Sequence, residues 1–249
     1  MNMKKLAFIM AIVMTLMVSA CTKTPEEPET TRFSILGDSY SAFKGYVQPD
    51  SNDVYHYENI GVTGPEQMWW SQVANSKGWI LEKNNSFSGA LVCNYDYVNY
   101  YGQYSFIRRM DNLGHPDVIF IFGATNDAYA HSDGNLYDPV VSLGDYVYSD
   151  WTEEQLCDFR PALAYLFDQL KSLYPNAKLY FLLDMNLGTG GVTEQRRAEF
   201  LESIQRISHH YHVDCINLWN ISKSQWHPNA EGQKNIADQV LEYLASDEI

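Results

Sequence analysis

The stretch FSILGDSYSAF, residues 33–43, drives an apolar, strand-forming run straight into Gly37, Asp38 and Ser39. No helix former comes at once after it, so the run stops on turn chemistry. Ser39 is then either a turn residue or a nucleophile held at the end of a buried strand. Deciding between them requires knowing what the rest of the chain places at other strand ends.

Four further β-rich runs are visible: WILEKN from Trp79, DVIFIFG from Asp117, KLYFLLD from Lys178 and VDCINL from Val213. Most are near-continuous rather than alternating, as expected of strands buried on both faces of a parallel sheet. Helical spacing fills the intervals, in GPEQMWWSQVANSKG from Gly64 to Gly78, and in GQYSFIRRMDNLG from Gly102 to Gly114. A third helical region opens with Thr152 as N-cap and must kink or restart at Pro161, because a mid-helix proline loses a backbone bond and clashes with the preceding turn. Two more helices are expected over about Thr193 to His209 and Ala230 to Leu244. The alternation predicts an α/β fold, a three-layer α/β/α sandwich around a central five-stranded parallel sheet. In such sheets ligands gather at the carboxyl ends of the strands, where Ser39 stands.

Residues 1–20 read as a secretory signal, with Lys4 and Lys5 ahead of an apolar centre and small residues before Cys21. VSAC, residues 18–21, resembles the lipobox of bacterial lipoproteins, which implies cleavage before Cys21 and acylation of its sulfur. Residues 21–31, rich in Pro and Glu, suit an extended tether, and 32–249 read as one domain. The expected location is the bacterial cell envelope, lipid-anchored at the periplasmic face or the cell surface. With 17 basic against 31 acidic side chains the chain carries −14, and nucleic acid is an unsuitable partner. Membrane contact is expected through the lipid anchor only.

Cys93, Cys157 and Cys215 remain beyond the anchor, and at most one disulfide could join a pair of them. No C-x-x-C or H-E-x-x-H spacing occurs. His209, His210, His212 and Cys215 form the densest group of metal-ligating types, but they fall where a helix ends, and histidines there are ordinary C-terminal residues. Neither metal nor cofactor is expected.

The segments just past the strands have chemical content: GDSYS (37–41) after the first, SFSGA (86–90) after the second, GATND (123–127) after the third and SQWHPNAEG (224–232) beyond the fifth. In order and separation these resemble the four blocks of the SGNH hydrolases, the GDSL esterase and lipase superfamily, across about Phe33 to Leu244. The resemblance implies the flavodoxin-like SGNH hydrolase fold and an ester hydrolase. Carried over residue by residue, it makes Ser39 the nucleophile and His227 its base. Ser39, Gly89 and Asn126 become the oxyanion donors, through two backbone N–H groups and one side-chain amide. Glycine at position 89 also admits a positive φ and a close approach of backbone to substrate. Asp38 and Asp127 are expected to brace the loops by accepting backbone hydrogen bonds.

One block departs from the family pattern. Most members carry an aspartate three residues before the histidine, and here that position is Ser224. The nearest preceding acid, Asp214, falls at the start of the fifth strand and hence at the wrong end of the sheet. A Ser39–His227 dyad oriented by a main-chain carbonyl near Ser224, a triad completed by the Ser224 hydroxyl, and an inactive relative all remain open.

Tyr40, Phe43, Tyr46, Tyr55, Tyr57, Trp69, Trp70, Tyr95, Tyr97, Tyr100 and Tyr101 crowd the segments expected at the site's rim. Aromatic faces stack on sugar rings, so an acylated glycan, with acetyl as the acyl group, is the expected substrate. A lipase or thioesterase is the alternative within the class, and a glycan-binding lipoprotein without catalysis is the alternative outside it. Trp69 and Trp70 are adjacent on one helix, and the reading is that at most one faces the core fully. Acyl group, glycan and oligomeric state are not legible.

Overall fold

The five apolar runs form five strands, β1 (Arg32–Gly37), β2 (Ile80–Ser86), β3 (Val118–Phe122), β4 (Lys178–Asp184) and β5 (Asp214–Leu218). They make one sheet in the order β2-β1-β3-β4-β5, with every neighbouring pair parallel. This computed structural model describes residues 30–47, 57–95, 104–129, 141–188 and 191–247. The 1–20 signal, Cys21, most of the tether, Tyr55, Tyr97, Tyr100, Tyr101 and the side chain of Tyr57 lie outside the described residues.

Strand alternation sends Phe33, Ile35, Phe120, Phe122, Tyr180, Leu182, Ile216 and Leu218 to one face. That face is covered by α1 (Trp69–Lys77), and by the last helix, Ala230–Asp247. Leu36, Ile119, Ile121, Leu179, Phe181 and Leu183 face the other way. The single turn α2 (Phe106–Arg109), α4 (Phe159–Leu173) and α5 (Glu194–Tyr211) cover that side. Between β3 and α4 lies the short α3 (Thr125–Tyr129), and the Ala230–Asp247 helix is α6. The result is the expected α/β/α sandwich, in the strand order of flavodoxin-like folds. A fully buried Phe such as Phe120, edge-on to Phe33 and Trp69 at centroid distances of 5.9 and 5.5 Å, contributes about 1.5–3 kcal/mol.

The third helical region restarts at the proline, as its chemistry requires. A 3-10 turn at Gln155–Cys157 is closed by a capping box between Thr152 and Gln155, with N–H contacts of 2.9 and 3.3 Å, and α4 begins two residues later. Pro161 sits in the first turn of α4, where Phe159 and Arg160 donate instead to the carbonyls of Ser142 and Leu143. No intrahelical bond is lost there.

Two expectations from the sequence are corrected. The helix expected over residues 102–114 is one turn among the described residues, because the Asn85 amide takes the carbonyls of Arg109 (2.8 Å) and Asn112 (3.1 Å) and the Ser34 hydroxyl takes that of Leu113 (2.7 Å). Side chains of the sheet thereby replace helical partners. Trp69 and Trp70 are both buried, at 0% and 2% exposure, because the turn after β1 gives each indole an acceptor. Trp69 Nε1 donates to Ser41 Oγ (3.0 Å) and Trp70 Nε1 to the Ser41 carbonyl (3.0 Å).

Ser41→Ala removes the acceptor of a fully buried indole N–H without touching the second one. The expected loss is about 1–3 kcal/mol of stability, read as a lower midpoint in a urea titration with an unchanged slope.

Candidate active site

Ser39 is placed by the way β1 stops. Asp38 N–H donates to the Phe122 carbonyl (3.2 Å), after which the Asp38 carbonyl accepts from Ser41 and Ala42, each at 3.2 Å. Asp38 Oδ1 also accepts from Tyr40 N–H at 2.9 Å, so strand becomes a tight helical turn at once. Ser39 projects from that turn at the carboxyl end of the sheet and is 8% exposed.

His227 arrives from the opposite side on a two-stranded hairpin, β6 (Lys223–Ser224) paired antiparallel with β7 (His227–Pro228). Its two central residues both take positive φ, Gln225 at 49° and Trp226 at 65°. That is the signature of the type I′ turn, which normally recruits Asn or Gly. The hairpin brings His227 Nε2 to 2.9 Å from Ser39 Oγ. It also brings the Gln225 carbonyl to 3.2 Å from His227 Nδ1. A carbonyl can only accept, so the proton belongs on Nδ1, and Nε2 is left to accept from the serine hydroxyl.

Of the groups considered for Nδ1, the structure places a main-chain carbonyl there, that of Gln225. Ser224 is corrected. Its hydroxyl accepts from Asn229 Nδ2 at 3.3 Å, because Asn229 caps α6 and reaches back to Ser222 Oγ (3.1 Å) and Ser224 together. Asp214 is at the far end of the sheet, paired with Lys178 at 2.5 Å. Gly232 is required where the hairpin meets α6, since a Cβ there would lie 1.9 Å from the Ser222 carbonyl oxygen.

The other two blocks are tied to the first. Phe87 N–H donates to the Gly37 carbonyl (3.0 Å), and the loop then passes through Gly89 at φ 76°, the positive value expected. Asn126 Nδ2 donates to the Ala90 carbonyl at 3.0 Å and lies 3.4 Å from Asp38 Oδ2, so it links the blocks of Ser39 and Gly89. Asp127 accepts from Val92 N–H (3.0 Å) and Cys93 N–H (3.3 Å). Both aspartates therefore brace loops, as the sequence suggested.

Several participants were not foreseen. Tyr40 donates its hydroxyl to the Trp226 carbonyl (2.9 Å) and packs edge-on to the His227 ring, with centroids 5.6 Å apart. Arg109, buried beneath the site, donates to the carbonyls of Gly37 (3.1 Å), Tyr104 (2.5 Å) and Asn85. Lys223 pairs with the buried Asp184 at the end of β4. Tyr40 lies within the GDSYS block but was read as a rim aromatic, Arg109, Lys223 and Asp184 sit in no quoted block, and only the folded chain brings them together. Among the described residues no cluster of His, Cys, Asp or Glu has the makings of a metal site.

Burial dominates the electrostatics. It pushes the Asp38 carboxyl up to about 7, against the Tyr40 N–H and the charges of Arg109 and Lys223, and the Asp127 carboxyl up to about 6. Burial also lowers Arg109 to about 9 and His227 below its ordinary value.

A model of the GDSL-like lipase/acylhydrolase family matches residues 31–244. The chain belongs to that family. Its members are ester hydrolases, and the solved structures of two GDSL-like lipases agree. One, from Bacteroides ovatus, is 44% identical over 87% of this chain and 99% of that one, with a TM-score of 0.75. Another, from Bacteroides uniformis, is 36% identical over 87% and 96%, with a TM-score of 0.73. The fold is also that of a family two carbohydrate esterase from Clostridium thermocellum solved with cellohexaose, 15% identical over 88% of this chain and 66% of that one, TM-score 0.57. A search of the curated proteins gave no match.

The raised carboxyl of Asp38 has a thermodynamic consequence. Its folded value exceeds the unfolded 3.8, so the folded state holds the proton more tightly. The resulting stabilisation is full below the unfolded value and fades as pH rises toward about 7. Asp38→Asn keeps an acceptor for Tyr40 N–H and removes the titration. The fall in melting temperature between about pH 5 and about pH 8 should therefore be smaller in the variant than in the parent.

Proposed function

We propose that this protein is a serine esterase that removes an acyl group, in the simplest case acetyl, from a carbohydrate by means of a Ser39–His227 dyad. The observation that carries the reading is the 2.9 Å contact between His227 Nε2 and Ser39 Oγ, with Nδ1 facing the Gln225 carbonyl. A serine hydroxyl is a weak nucleophile until a base removes its proton. His227 takes that proton as Oγ attacks the acyl carbon, then returns it to the departing sugar oxygen. A water deprotonated by the same nitrogen releases the acyl group from Ser39. The oxyanion formed in each half lies within reach of Ser39 N–H, Gly89 N–H and the Asn126 amide, with the amide moving from its long contact to Asp38.

Among the described residues the glycan reading rests on two exposed aromatics, Tyr46, which the sequence suggested, and Trp226, which it did not. Tyr40, Trp69 and Trp70 belong to the core and offer no face to a glycan, while Tyr95 is half-buried against it. Trp226 is 67% exposed and immediately precedes His227, and Tyr46 is 47% exposed. An exposed indole beside the general base suits stacking on the sugar that carries the ester. The cell envelope, with attachment through lipid on Cys21, is the proposed location, since the signal and lipobox pattern stand at the N-terminus.

A fluorophosphonate should label the purified protein at Ser39 and should fail on Ser39→Ala. Hydrolysis of p-nitrophenyl acetate should fall at least about a thousandfold in Ser39→Ala and in His227→Ala. Equal rates in all three proteins sink the dyad. The acid limb of kcat/KM should titrate below the 6.5 of an ordinary imidazole, because burial disfavours the cationic ring.

Trp226→Ala separates the glycan from the chemistry. KM for acetylated oligosaccharides should rise about tenfold, in line with a lost stacking contact, while p-nitrophenyl acetate is turned over at the parent rate. An equal loss on both substrates would assign the indole to the hairpin's structure instead.

A further inference from the structure

His227 lacks an aspartate, yet a carboxylate and a lysine are gathered behind it. Lys223, in the first strand of its own hairpin, has a side chain only 17% exposed. Its ammonium is ion-paired with Asp184, whose side chain is 1% exposed, and stands 5.2 Å from the centre of the Tyr40 ring. The same ring packs against the imidazole, and the same tyrosine holds the Trp226 carbonyl. Asp184 is fixed in turn by Asn186 N–H, 2.9 Å from Oδ1. A chain of contacts thus runs from the end of β4 through Lys223 and Tyr40 to the histidine.

We propose that Asp184 and Lys223 are positioning residues that act as one charge-balanced unit, pinning the histidine hairpin to β4 and setting the charge His227 feels. The proposal rests on the Ser39–His227 dyad. A lone ammonium so near the ring would oppose the imidazolium that forms when Ser39 attacks. Asp184 offsets part of that field without touching the ring. The Gln225 carbonyl then supplies the direction of the Nδ1 hydrogen bond, and the ion pair supplies neutrality. In a triad one aspartate does both.

Among the described residues, Ser39 and Tyr40 approach the imidazole from the turn after β1, and the charge of Lys223 acts on it from β6. Asp38 lies behind Tyr40, with Asp127 and Arg109 beyond it, and Asp184 lies behind Lys223. Lys223 lowers the affinity of His227 for a proton, in addition to the effect of burial. Removing one partner of the pair therefore shifts the histidine in the opposite direction from removing the other.

The test is an NMR titration of the His227 ring, assigned with His227→Asn, in the parent, Asp184→Asn, Lys223→Met, Lys223→Arg and the double variant Asp184→Asn/Lys223→Met. Asp184→Asn should move the midpoint down by about half a pH unit or more, and Lys223→Met up by a similar amount. Lys223→Arg should stay near the parent, and the double variant should return most of the way. In parallel, kcat for p-nitrophenyl acetate in Asp184→Asn should fall about tenfold with KM little changed, and recover in part in the double variant. Midpoints that coincide in all variants, or that move in the same direction, overturn the proposal. Because the titration needs no turnover, an inactive parent would overturn the dyad while the midpoints still decide the pair.

Discussion

A two-residue turn in an unfavourable conformation holds the site together. Gln225 and Trp226 both occupy the left-handed region, where side chains other than Gly and Asn are strained by about 1 kcal/mol or more each. Only that geometry turns the Gln225 carbonyl back toward His227 Nδ1 while sending Nε2 toward Ser39. The surroundings have to hold the turn in place. They do so from three sides, through the Tyr40 hydroxyl on the Trp226 carbonyl, the Lys223–Asp184 pair, and Asn229 and Gly232 at the start of α6.

Ser39 is supported in another way. Its turn is built into the core, with the Ser41 hydroxyl and carbonyl spent on two buried indoles, with Asn84 sharing the Ser41 carbonyl and with Arg109 holding that of Gly37. Asp38 belongs to this support, and its burial explains why it is poorly suited to carry a negative charge. Serine and histidine therefore stand on foundations of different kinds, one internal to the sandwich and one a surface hairpin moored to it.

The fold was legible because its causes are local. Near-continuous apolar runs at 33–36, 118–122 and 179–183 read as strands buried on both faces, and segments of helical spacing lie between the strands. Ser39, His227, Gly89 and Asn126 were visible through motifs at strand ends, and the folded chain brings Ser39 and His227 into contact. Other features depended on contacts between distant residues. Helical periodicity at 102–114 could not reveal that Asn85 would claim its carbonyls, nor could the adjacency of Trp69 and Trp70 reveal two acceptors on one serine. A main-chain carbonyl near Ser224 was among the readings the motif left open, but that Gln225 supplies it depends on the backbone shape of the turn, which no side-chain pattern shows.

That preference for main chain bears on how the protein tolerates mutation. An orienting carboxylate disappears with one codon change, but a main-chain carbonyl is present whatever residue occupies position 225. What the site inherits at position 225 is a backbone shape rather than a residue identity, so sequence drift there is limited by conformation alone. Relatives with unlike residues at positions 224–226 could keep the same imidazole geometry and give no sign of it when their sequences are compared.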